Sequence, residues 1–131
     1  MISKIELEDL ANNRLEDANV LMIANRFDAA VYLCGYAIEL GLKHRICETL
    51  DWEGFPSTTR EFENYKSFKV HNLNVLLHLS GFERKIKTEY VEEWSIVNTW
   101  NPESRYTLSE NLDKETVEEM ISATTKLLEI L

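Results

Sequence analysis

At 131 residues the chain has the size of one domain, spanning 1–131, long enough to bury a core without disulfide or metal staples. It is 44% hydrophobic and 28% charged, as globular proteins are, and its 4 glycines and 2 prolines leave long segments unbroken, which favours helices over many short strands. A net charge of −9 disfavours broad electrostatic binding to DNA or RNA while leaving room for a local basic pocket.

Residues 3 to 25 read as the first helix. Leu7, Leu10, Ala11, Leu15, Ala18, Leu21 and Met22 fall in one sector, and Glu8, Asn12, Glu16 and Asn19 fall outside it. Ser3 with Glu6 fits a capping box. Asn25-Arg26 is a short break, which predicts an antiparallel hairpin with the next helix.

The second helix runs from Asp28, read as its N-cap, to residue 50 and organises the rest. It is apolar on nearly every side over its first three turns, so other helices must surround it. Ala30, Cys34, Ala37 and Gly41 form a small-residue stripe, where another helix backbone can come close, within the fold or across a dimer. Tyr32, Tyr36, Glu39 and Lys43 form a second stripe, opposite, in which every side chain can hydrogen-bond.

Residues 51 to 69 are irregular, punctuated by Gly54, Pro56 and Ser57-Thr58-Thr59, with a turn of helix expected near 60–65. A short third helix follows over 70–79 and stops at Gly81. The fourth runs from 83 to 100 with Ile86, Tyr90, Trp94 and Val97 facing inward, and Pro102 ends it. Residues 101–111 are a loop, and Asp113 caps a fifth helix whose inner face is Val117, Met120, Ile121, Thr124, Leu127, Leu128 and Leu131. The expected fold is all-α: a five-helix up-and-down bundle, with long helices one, two, four and five and a short helix three.

Cys34 and Cys47 lie 13 residues apart on one helix. That is roughly 20 Å, too far to bridge, so both thiols are expected free and buried, as suits a reducing cytoplasm. The N-terminus has no basic region followed by an apolar run, and no apolar stretch approaches the ~20 residues that span a bilayer, so neither a signal peptide nor a membrane partner is expected.

Four places carry candidate chemistry. Glu39 and Lys43 stand at i, i+4 in the favourable order, as a structural pair or as part of a functional polar surface. Lys43-His44-Arg45 is a compact basic run that can meet a phosphate, or can simply complement the end of the second helix. His71 opens the third helix as an acid/base or as a cap, whereas His78 is expected at the surface or in packing. Arg105-Tyr106 in the loop can clamp a phosphate or carboxylate, or can anchor the loop. The glycines are isolated, so no phosphate loop is present, and His and Cys never come at zinc spacing, so neither a metal nor another cofactor is expected. Trp52, Trp94 and Trp100 read as core and rim.

Taken together, these segments resemble HEPN domains. The second helix is similar to that family's A-x-Y/F-x-x-x-x-A-x-E-x-x-L-K run, through Ala30, Tyr32, Ala37, Glu39, Leu42 and Lys43. The His-Asn-Leu segment is matched by His71, Asn72 and Leu73, with Leu76-Leu77 following, and the Arg-Tyr before the last helix by Arg105 and Tyr106. The resemblance covers residues 7 to 130. It implies an all-α bundle, commonly a homodimer. Many HEPN domains are metal-independent ribonucleases of toxin or defence systems, which use an Arg followed four to six residues later by His. No arginine here has a His at that spacing, so the resemblance implies the non-catalytic branch: a module that binds a nucleotide-like ligand or pairs with a nucleotidyltransferase in a toxin–antitoxin or defence-type system. Glu39, Lys43, His71, Arg105 and Tyr106 would line its polar pocket, with Lys43 and Arg105 on phosphate and Tyr106 stacking or donating a hydrogen bond. The alternative is a divergent ribonuclease toxin acting on RNA, with Arg105 stabilising the phosphorane and His71 as acid/base. Either reading expects the Tyr32-Tyr36-Glu39-Lys43 stripe to face the Arg105-Tyr106 loop and the start of the third helix.

Overall fold

A computed structural model describes residues 1–103 and 112–131. The chain is mostly helical, with α1 (Lys4–Ile23), α2 (Phe27–Leu50), α3 (Leu73–Ser80), α4 (Glu83–Glu89), α5 (Val91–Val97) and α6 (Lys114–Ile130) among the described residues. Among these helices none is long and apolar enough to cross a membrane.

The helix ends follow local chemistry. Ser3 and Glu6 form the expected capping box on α1, each bonding the other's backbone N–H at 2.9 to 3.2 Å. The α1–α2 turn is a Schellman motif. Arg26 N–H reaches Leu21 O at 2.8 Å and Asn25 N–H reaches Met22 O at 3.0 Å, with Asn25 left-handed at φ 60°. Asn tolerates that conformation better than most residues. The N-cap of α2 falls two residues earlier than the sequence suggested: Arg26 holds that position without a side-chain cap, and Asp28 sits in the first turn, where the helix dipole favours an acid. Asp113 caps α6 by accepting from Thr116 N–H at 2.8 Å, and Gly81 ends α3 at φ 79°.

The small stripe of α2 is consumed inside this chain. Ala30, Cys34, Ala37 and Gly41 are all buried, and a Cβ on Gly41 would lie 2.6 Å from Leu128 of α6. A Cβ on Gly35 would overlap the Trp100 indole, which lies against the α2 backbone and donates its Nε1–H to Tyr32 O at 3.1 Å. Helix α1 packs along α2 on another side, placing Leu7, Ala11 and Ala18 in the core.

Three further features depart from expectation. The predicted 83–100 helix is two helices, broken at Tyr90 (φ −130°, ψ 33°). The break lets Ile86 and then Trp94 and Val97 bury, with Tyr90 half-buried between them. Helix α5 ends at Val97, with Asn98 as its cap, well before Pro102. The "irregular" segment holds a short strand, β2 (Gly54–Phe55), paired antiparallel with β1 (Ile2–Ser3) before α1, and 3₁₀ turns at Glu61–Asn64 and Lys66–Phe68. This pairing seals Phe55 into the core at 1% exposure.

Candidate functional site

The middle of α2 buries a carboxylate. The Glu39 side chain is 2% exposed, in the most enclosed helix of the fold. An isolated charge there is costly, so it must be paired and hydrogen-bonded. It is, on both oxygens. Oε2 accepts from Lys43 Nζ at 3.1 Å, one turn on, and Oε1 lies 3.0 Å from His71 Nδ1, which arrives from far along the chain.

The approach of His71 is fixed by the cap of α3. Asn72 is extended (φ −72°, ψ 119°), and its Oδ1 accepts from Asn74 N–H at 2.9 Å and Val75 N–H at 3.1 Å. His71 therefore precedes the helix and does not open it. A neutral imidazole bonded to a carboxylate through Nδ1–H leaves Nε2 as an acceptor on the far side of the ring. No hydrogen bond to Nε2 is found among the described residues, and the ring is 64% exposed.

These three side chains share a cavity of about 330 Å³. Tyr36, Lys69, Phe55, Phe62 and Phe68 line it with them. Both lysines are held on aromatic faces: Lys43 Nζ is 5.3 Å from the Phe55 centroid and Lys69 Nζ is 5.9 Å from that of Phe62. The phenylalanines belong to a cluster with Trp52 and Tyr65, whose ring centroids are 5.1 to 6.4 Å apart. A cavity lined by cationic donors and by the rings beside them can take an anionic group attached to a flat apolar body.

Of the residues expected at the site, Glu39, Lys43 and His71 converge. Arg105 and Tyr106 lie outside the described residues. The stripe on α2 divides between two environments. Its C-terminal half meets His71, and Tyr32 at its N-terminal end packs against Trp100 with the rings tilted by 41° and centroids 6.1 Å apart. Lys69 and the phenylalanines were not anticipated as site residues. For Lys69, Phe62 and Phe68 the signal is the three-residue spacing in FENYKSFKV, with rings at Phe62, Tyr65 and Phe68 and lysines at Lys66 and Lys69, which is the period of the 3₁₀ turns found there; Phe55 lies outside that stretch. Compared with known proteins, the chain has no significant match to any family model, curated protein or solved structure.

The neighbouring basic residues have another task. His44 Nδ1 lies 3.1 Å from Leu131 O, and Arg45 gives that oxygen two bonds, at 3.1 and 2.9 Å, while its guanidinium stacks 4.4 Å over Phe82. They clamp the end of α6 onto α2. His78 is a surface residue bonded to Glu83 at 3.0 Å. Cys34 and Cys47 are free and buried, and burial pushes each thiol up to about 11. Neither has the lowered pKa that a nucleophilic cysteine needs. Among the described residues no group of three or more His, Cys, Asp or Glu is placed to hold a metal ion.

Proposed function

We propose that this chain is a non-catalytic module of the HEPN type that binds a nucleotide-like ligand in the Glu39–Lys43–His71 cavity. In that reading α4 and α5 together take the place of the bundle's fourth helix. One observation carries the ligand: a buried carboxylate holds a lysine and a histidine at the mouth of a cavity that also offers Lys69 and three phenylalanines. Lys43 and Lys69 supply charge for phosphate, the phenylalanines supply a surface for the base, and Glu39 keeps Lys43 and His71 in place. The resemblance adds a homodimer and a nucleotidyltransferase as partner.

Calorimetric titration of nucleoside mono- and diphosphates tests the ligand. Saturable heat is expected, weakened about tenfold by Lys69→Ala. Absence of heat at about millimolar ligand, where binding is worth only ~4 kcal/mol, removes the ligand from the proposal. Light scattering tests the dimer, with twice the 15.3 kDa chain mass expected at tens of micromolar, in order-of-magnitude terms.

A second reading, a divergent metal-independent ribonuclease, is favoured by the Glu39–His71 bond, since a carboxylate on Nδ1 sets an imidazole for proton transfer at Nε2. Incubation with RNA decides it. Cleavage by the wild type that is lost in both His71→Ala and Arg105→Ala supports the ribonuclease; no cleavage, or equal cleavage by all three, removes it.

A further inference from the structure

A second cavity, about 620 Å³, adjoins the first and shares Pro56 with it. The same aromatic cluster serves both, presenting Trp52 and Tyr65 on this side at 69° to one another, centroids 5.1 Å apart. Its charged lining is different: Asp51, Glu53, Arg60 and Glu61. Glu61 is already engaged, by the Met1 amino group at 2.9 Å and the Thr58 hydroxyl at 3.0 Å. Asp51, Glu53 and Arg60 have no ion-pair partner among the described residues.

We infer that this cavity is a separate site for a small organic zwitterion, with its cationic nitrogen against Trp52 and Tyr65 beside Asp51 and Glu53 and its carboxylate on Arg60. Aromatic faces next to carboxylates attract alkylammonium groups, which gain from the ring quadrupole and from the charge at once. Arg60 opposes a bare cation in the same space and recognises a carboxylate through its fork of donors. A zwitterion whose charges are separated by a short apolar stem satisfies all three free groups, and a purely cationic ligand leaves Arg60 unanswered. The inference does not depend on the nucleotide reading, because none of its charged groups lines the other cavity.

The test follows the Trp52 indole N–H by NMR while three probes are titrated: γ-trimethylammonium butyrate, choline, and the neutral carbon isostere of choline. Trp94 and Trp100 are buried and serve as internal controls. The expected result is a saturable shift of Trp52 with the zwitterion, binding about tenfold weaker for choline, and no response to the isostere. Changing Asp51→Asn together with Glu53→Gln should weaken the zwitterion about tenfold, and Arg60→Ala should leave it no tighter than choline. These three residues are exposed, so the fold is retained. No saturable shift with the zwitterion, an equal response to the isostere, or choline binding as tightly as the zwitterion to the wild type overturns the inference.

Discussion

Two cavities meet across one aromatic cluster, and they are built in opposite ways. In the first, the charges grow out of the core: Glu39 is sealed in α2 and holds Lys43 and His71 by direct bonds. In the second, the charges sit on exposed residues around β2 and the following turn, and the side chains of Asp51, Glu53 and Arg60 have no hydrogen bond or ion pair among the described residues. The first set is part of the stability of the fold, because removing one member of a buried pair strands the other. The second set is not engaged by the fold. If the two proposed sites hold, ligand binding and stability are coupled in one cavity and separable in the other.

The largest expected effect comes from the shared cluster. Phe55 is 1% exposed and touches rings that line both cavities, so Phe55→Ala should cost about 3–5 kcal/mol in urea unfolding and weaken both sites. Next is Lys43→Ala. With His71 left to Glu39, and Lys43 itself 15% exposed, the loss should sit at the low end of the range for a broken buried pair, about 3 kcal/mol. The paired change Asp51→Asn and Glu53→Gln should stay within about 0.5 kcal/mol. Equal costs for these two variants would erase the contrast between the cavities. Gly35→Ala tests the packing of Trp100 on α2. Alanine normally stabilises a helix interior, but here its methyl meets the Trp100 indole, so a net loss of about 1–3 kcal/mol is expected in the same assay.

The smallest effects are on pH dependence. Burial raises Cys34 and Cys47 from 9.0 to about 11, which favours the protonated thiol in the fold. Their contribution to stability is therefore complete below pH 9 and is lost as pH rises toward 11. Both thiols should resist alkylation in the native protein at pH 8, and both should react in denaturant, with mass spectrometry as the readout. At the acid end the signs reverse. The Lys4 ammonium holds the Glu48 carboxyl below its ordinary value, and the Met1 amino group does the same for Glu61. Their contribution is present above 4.5 and fades as pH falls through the lowered values. A midpoint of thermal unfolding that stays flat from pH 5 to pH 2 would contradict this.

The sequence was most legible where one residue decides a local event. Ser3 with Glu6, Asp113 and Gly81 act through their own backbone neighbours, and each stands where it was expected. The convergence of Glu39 with His71 was not legible from α2, because nothing within that helix reveals a partner 32 residues away, and it was expected only through the resemblance to HEPN domains. The basic run shows why adjacency misleads on a helix. Successive residues turn by about 100°, so Lys43 enters the cavity while His44 and Arg45 turn to Leu131. The break at Tyr90 carries no Gly or Pro and was invisible for that reason. Phe55 was missed because a two-residue strand is too short to leave a period, and Lys69, Phe62 and Phe68 because their three-residue spacing is that of short 3₁₀ turns and matches neither the α-helical nor the strand period.

One titration tests the division of labour most directly. Adenosine monophosphate is added to the wild-type protein while the His71 ring signals and the Arg60 side-chain Nε–H are followed together by NMR. The account predicts saturable shifts at His71 with Arg60, which lines only the second cavity, unmoved. Saturable shifts at Arg60, or no shift at His71, would contradict it.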